Sequence, residues 1–297
     1  MADEPLNKNE LLLREASKLM GMLFIGRREA FARHNGKHPD GQWYKERRQF
    51  KLADMRNHLF GDQCLGTYLL DADSMVRCFV FDVDLKADGD YFLIGDDTEA
   101  DGYEVSGDLK IEKGAQRGVD MEDALHNESS PAHRWAASLV RSTVDFIQRQ
   151  VYSQLELTST IIITGGGAHV FVPFGQLVPA AEARAMAHSV MDGISTFARK
   201  NENFYVNGSG KPSIEIEIFP KQDSLKDLSN LHADGTPESL GNLIRLPFGM
   251  HERGMRTYAL DPSLPQLPSW KLKKLSSMDA LRLQANTLDL KWECAEQ

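Results

Sequence analysis

Between Ser159 and Phe174 the chain reads STIIITGGGAHVFVPF. Two runs rich in β-branched and aromatic residues flank Gly165, Gly166 and Gly167, and such runs joined by a glycine turn fold back on each other as an antiparallel hairpin. Helices flank this unit on both sides. The stretch SSPAHRWAASLVRSTVDFIQRQV places Ser130 as an N-cap and Pro131 at a first helical position, with apolar residues following at Trp135, Leu139, Val140, Ile147 and Val151. PAAEARAMAHSVMDGISTFARK is a second amphipathic, alanine-rich helix. Further strands are expected at CLGTYLL, RCFVFDVDL, SIEIEIF and NLIRLPF, and the N-terminal stretch Asn9 to Arg33 has helical spacing, followed by the turn-rich loop HNGKHPDGQ. Strands in hairpins mixed with helical crossovers predict an α+β fold, a mainly antiparallel sheet with packed helices.

With 297 residues and no internal repeat, the chain can bury a full core. One catalytic unit over residues 1–260 is expected, with an N-terminal module, an acidic, Gly- and Asp-broken insertion near 87–128, and a C-terminal extension over 261–297 ending in a short helix. No apolar run approaches the roughly 18 to 20 residues of a membrane span, and MADEPLNKNE lacks a secretory signal's features, so no membrane partner and a cytoplasmic address are expected. Cys64, Cys78 and Cys294 lie far apart without a CxxC, which argues against a disulfide framework or a zinc ribbon.

The net charge of −9 does not advertise a nucleic-acid surface, yet it is unevenly spread. From Gly21 to Phe60 nine Lys and Arg face four Asp and Glu, and from Asp82 to Glu128 fifteen Asp and Glu face four Lys and Arg. The acidic run reads as a solvated face. The basic stretch, interleaved with Phe31, Trp43, Tyr44 and Phe50, is a candidate for contacting a phosphate backbone.

Three motifs carry chemistry. In FDVDLK, Asp82 and Asp84 share one strand face, because side chains at i and i+2 point the same way. Two such carboxylates either grip divalent cations, with hard oxygen donors suiting magnesium or manganese, or merely solvate a strand end. In TGGGAHVFV, the turn Thr164, Gly165, Gly166, Gly167 offers backbone amides to a phosphate, with His169 at the start of the next strand; alternatively it is a plain glycine hairpin with a core histidine. In SIEIEIFPKQD, Glu215 and Glu217 share one face and either could complete an acidic cluster, the other standing outward. Lys221 and Arg245 lie just beyond, where cations could hold a triphosphate.

In this combination and order the chain resembles the archaeo-eukaryotic primase superfamily, closest to the bacterial and phage primase-polymerases of TOTE conflict systems and CRISPR-associated loci. The motifs that carry it are DVD, GAH (Gly167 to His169), and IE (Ile214 and Glu215), together with EIFPKQ and GNLIRLPFG, within roughly Phe24 to Arg253. Two departures stand out: many relatives place a basic residue where this chain has Gly166, and the third acid, often aspartate, is Glu215 here. The resemblance implies an RRM-like sheet with packed helices plus an N-terminal α/β module, and a nucleotidyltransferase acting as a DNA primase or polymerase. It implies that Asp82, Asp84 and Glu215 hold two Mg2+ or Mn2+ ions. It also implies that Thr164, Gly165, Gly166, Gly167, His169, Lys221, Arg245 and His251 bind the nucleotide. Partners so implied are a single-stranded DNA template and primer, an NTP or dNTP, and a separate helicase or other replication or CRISPR-associated protein. A metal-dependent nuclease could use the same acids, and a non-catalytic RRM-like nucleic-acid-binding module would need exposed aromatics on its strands.

Overall fold

The computed structural model describes residues 8–34, 42–86, 120–130, 132–207, 212–225, 240–250, 255–261 and 272–290. Its centre is the apolar strand that ends in the two aspartates, β4 (Met75–Leu85). This strand is flanked by β6 (Gly167–Pro179) and β9 (Ile214–Phe219). Beyond β6 lie β5 (Thr160–Ile163), β11 (Tyr258–Leu260) and β12 (Lys274–Leu275), and beyond β9 lie β8 (Phe204–Asn207) and β7 (Phe197–Arg199), making eight strands. A second sheet of four strands runs β10 (Leu243–Arg245), β3 (Cys64–Tyr68), β1 (Phe31–His34) and β2 (Trp43–Glu46). Every described pairing is antiparallel, so the α+β expectation and the β5–β6 hairpin hold.

Helices α4 (His133–Leu155) and α5 (Ala180–Asp192) lie against β4 and β6. The residues Leu139, Val140, Ile147 and Val151 that set the helical period are buried, as are Ile214, Ile216 and Ile218 of β9. Helix α1 (Lys8–Leu23) contacts α2 (Leu52–Phe60), β6 and α6 (Ser277–Thr287). Arg282 of α6 grips Glu15 of α1 through two bonds of 2.7 Å. Gln284 of α6, buried, accepts from the Thr160 hydroxyl and donates to the Thr158 hydroxyl, both at 2.8 Å. The C-terminal segment expected as an extension therefore supplies a strand and a helix to the main body.

Several local expectations shift. Helical spacing up to Arg33 gives one helix that stops at Leu23. Beyond it the chain lies against β3, where a Cβ on Gly26 would come within 1.7 Å of the Leu69 carbonyl oxygen, and the Arg27 N–H donates to Tyr68. That docking makes β1 of a segment with helical periodicity. Helix α4 begins at His133, not after Ser130, because the Ser130 carbonyl accepts the His133 N–H in a preceding turn. Pro131 lies outside the described residues. Helix α5 ends at Asp192, and Phe197–Arg199, read as its continuation, pairs with β8 as an edge strand. Of the acidic insertion, residues 87–119 lie outside the described part, and its end forms a short helix, α3 (Met121–His126).

The basic stretch packs and pairs within the fold. Phe31 and Phe50 stack on each other at 4.2 Å, and Phe31 is fully buried. Arg48 lies over the Phe31 ring and forks onto Asp54 at 2.6 and 2.8 Å, while Arg33 pairs with Glu46. These two rings and two arginines have partners within and beside the four-stranded sheet.

The turn after β10 is pinned from α2. His58, fully buried, accepts the Leu65 N–H at Nδ1 (3.1 Å), so its Nε2–H donates to the Pro247 carbonyl at 2.8 Å. Phe248 follows with φ +69°, a left-handed conformation that a bulky residue adopts only where neighbours impose it. Gly249 then passes the imidazole so closely that a Cβ there would come within 2.1 Å of it.

Candidate active site

The antiparallel register sets the floor of the site. Asp82 lies opposite Glu217 on one side and His169 on the other, and Asp84 lies opposite Glu215 and Gly167. Four carboxylates therefore form two cross-strand pairs on one face of β4 and β9. Like charges so placed repel, and something must offset them.

The offsets are lysines and a histidine. Lys86 reaches Glu215 Oε2 at 2.9 Å and Asp84 Oδ2 at 3.9 Å. Lys200 approaches the other Glu215 oxygen at 3.5 Å. Lys221 contacts Glu217, its ammonium also 4.7 Å from the Phe219 ring centre. His169 Nε2 lies 3.2 Å from Asp82 Oδ1. The hydrogen bond from Lys86 holds the Glu215 carboxyl below the usual range. Burial raises that of Glu217, with Lys221 opposing the rise. Asp84 keeps 55% of its side-chain surface open. Even so, the protein mass around the cleft, with repulsion from Asp82, pushes its pKa up to about 6.

A cavity of about 260 Å³ opens over this floor, between the two sheets. From the eight-stranded sheet come Asp82, Asp84, His169 and Phe219; from the four-stranded sheet come Trp43, Leu243, Ile244 and Arg245. Thr164, Gly165 and Gly166 close one side. The turn is held on three counts: the Thr164 N–H donates to Gly167, the Leu85 N–H to Gly166, and His126 of α3 contacts the Thr164 carbonyl at 2.6 Å. Among the described residues no hydrogen bond uses the N–H of Gly165 or Gly166, which leaves two donors for a ligand oxygen.

The structure thus gathers Asp82, Asp84, Thr164, Gly165, Gly166, His169 and Arg245 around one space. Glu215 stands beside it, engaged by two lysines. Gly167 has a different duty, since a Cβ there would come within 1.8 Å of the Val83 carbonyl oxygen: it lets β6 close onto β4. At Gly166 a Cβ would meet nothing nearer than 3.9 Å, so the position has room for a side chain. Lys221 faces Glu217, outside the cavity lining. His251 lies outside the described residues.

Sequence reasoning missed Lys86, Lys200, His126 and Trp43's place in the cavity. For Lys86 the signal was present: Asp82, Asp84 and Lys86 are spaced by two, so one alternation puts all three on one face. The other three depend on contacts between distant elements.

As they stand, the described residues contain no group of three His, Cys, Asp or Glu arranged to hold a metal ion. Lys86 occupies the notch between Asp84 and Glu215. The donor set nonetheless suits a hard divalent cation, being carboxylate oxygens on one face in two cross-strand pairs.

A family model for the archaeo-eukaryotic primase domain of TOTE conflict systems matches residues 27–284. The chain belongs to that primase family. The match takes in both sheets, the cavity and most of α6. No curated protein matches the chain. Membership makes this primase domain a nucleotidyltransferase-type enzyme, with Asp82 and Asp84 on its central strand. Among the described residues no helix is long and apolar enough to cross a membrane.

Proposed function

We propose that this domain is a DNA primase-polymerase, transferring a nucleoside monophosphate from an NTP or dNTP to a 3′-hydroxyl on a single-stranded DNA template. The attacking oxygen forms a bond to the α-phosphorus as the bond to the departing pyrophosphate breaks. The observation that carries the reading is the single cavity in which carboxylates face unengaged glycine amides and an arginine.

Asp82, Asp84 and Glu215 would hold Mg2+ or Mn2+, which when bound supplies activation of the hydroxyl and stabilisation of the leaving group. The chain's own groups do the rest. The Gly165 and Gly166 amides and the Arg245 guanidinium bind phosphate oxygens, and His169, held against Asp82, lines the cavity beside them. Trp43, whose ring centre lies 5.7 Å from the Arg245 guanidinium carbon, with Leu243 gives the cavity an apolar wall for the nucleotide's base and sugar.

The test is synthesis on single-stranded DNA, with and without primer, comparing NTPs with dNTPs in magnesium and manganese. Template-dependent product is expected. Absence of any product, or degradation of labelled DNA regardless of added nucleotide, overturns the reading and favours a nuclease. A separate helicase would supply unwinding, and a partner of that class is part of this proposal.

A further inference from the structure

Lys86 is placed where a metal-binding floor would be expected to keep an open position. Its backbone N–H donates to the Ser213 carbonyl at 2.9 Å, so the ladder joining β4 to the approach to β9 holds its base. Its side chain leans across the same face as Asp82 and Asp84 and puts Nζ 2.9 Å from Glu215 and 3.9 Å from Asp84. Neutralising Glu215 does not by itself require this, because Lys200 lies 3.5 Å from the other Glu215 oxygen, on a longer and more exposed contact. Among the described residues, what Lys86 alone does is span two carboxylates from adjacent strands.

We propose that Lys86 is the chain's own counter-cation for the notch between Asp84 and Glu215, and that a divalent ion binds there only by displacing it. This rests on the metal-binding reading above and adds a competitor to it. A hard divalent ion takes carboxylate oxygens at roughly 2.0–2.6 Å, inside the present Lys86 contact, and two cations sharing the same oxygens repel. The ammonium must therefore swing away when the ion enters. Two consequences follow. Without metal, Lys86 holds β4 and β9 together against the repulsion of their paired acids. With metal, a positive charge attached beside the cavity is set free and stays within reach of a bound polyanion. The affinity for metal is thereby lowered by the strength of the ion pair that has to break.

The experiment is calorimetric titration of the metal-stripped full chain with Mn2+, without nucleotide, alongside thermal melting with and without Mn2+. Lys86→Met keeps the unbranched stem, one atom shorter, and removes the charge, and should bind Mn2+ about tenfold more tightly than the parent, as expected for removing one charge-assisted contact. Its melting temperature should be lower than the parent's without metal and should rise more on adding Mn2+. Lys86→Arg keeps the competing charge and should bind no more tightly than the parent. Lys200→Met, which opens no notch between two strands, should change affinity less than threefold, about 0.6 kcal/mol.

Equal or weaker Mn2+ binding by Lys86→Met than by the parent overturns the assignment of Lys86 while leaving the metal site standing. Tighter binding by Lys86→Arg would overturn it independently of any folding defect in the methionine variant. If neither the parent nor Lys86→Met binds Mn2+, while both melt cooperatively, the metal-binding reading itself falls and the Lys86 assignment falls with it.

Discussion

Two clusters of opposed charges, one on each sheet, set carboxylates against arginines in one case and against lysines in the other, and end in opposite states. On the four-stranded sheet Arg33 and Arg48 meet Glu46 and Asp54, two against two. Asp54 also accepts the Lys51 N–H at 2.8 Å at the start of α2, and the Arg48 fork holds its carboxyl below the usual range. On the eight-stranded sheet Asp82, Asp84, Glu215 and Glu217 meet Lys86, Lys200 and Lys221, four against three. His169 stands against Asp82 as well, and burial, with repulsion from Asp82, pushes the Asp84 pKa up. The balanced cluster fastens a helix to a strand; the unbalanced one is where the proposed metal would add the missing positive charge.

The largest test of that contrast is Asp82→Ala or Asp84→Ala. Either should lower nucleotide incorporation on the order of a thousandfold or more, ~4 kcal/mol in the barrier, with a native-like melting curve. Metal-dependent extension at parental rates in either variant would erase the distinction between the clusters.

Acid separates the two sheets next. Burial pushes His58 down to about 4 from its ordinary 6.5. Between those values the unfolded chain binds the proton and the folded one does not, so stability grows as pH rises through this window and is lost as it falls. The full difference is ~3 kcal/mol. Asp84 runs the other way: its folded pKa lies above its ordinary 3.8, so without metal its contribution to stability falls as pH rises from about 4 to about 6. Urea unfolding of metal-stripped protein across pH 4–7 should give a flatter acid limb in His58→Gln and a steeper net rise in Asp84→Asn. Profiles parallel to the parent's in both would contradict the two environments.

Arg245→Ala should weaken nucleotide binding about 30-fold, ~2 kcal/mol, the value of a charge-assisted contact, with little change in folding. Fluorescence titration with a non-hydrolysable nucleotide measures it. The smallest effect belongs to the balanced cluster. Arg48→Met should cost about 1 kcal/mol of stability in urea unfolding and leave incorporation within about twofold, because its partners lie away from the cavity.

Much of the floor was legible beforehand because alternation is a local rule. Asp82 and Asp84, and then Glu215 and Glu217, sit on the faces that a spacing of two dictates, and the apolar runs on either side of the glycines pair as a hairpin. The walls were less so. Trp43 and Arg245 meet over the cavity only because β2 and β10 join one sheet through β3 and β1, an arrangement that no window of sequence contains. The short strands β1 and β7 were hidden for a related reason: each lies in or after a helical pattern, and pairing with a partner strand overrides a weak local preference. The role of Gly167 was likewise invisible, since its duty is a close approach to Val83 on another strand.

The contacts of Gln284 bear on how such a domain is cut or joined to others. Every candidate site residue lies before residue 252, so a shortened version stopping near residue 260 would look complete on paper. It would lack the side chain that clasps Thr158 and Thr160, and the strand that Thr160 begins leads four residues later into the glycine turn. It would also strip Arg282 from Glu15 and leave β11 as a bare sheet edge. A terminal boundary placed after Thr287 keeps the clasp, and any module fused there would be wired, through one buried glutamine, to the strand that feeds the turn.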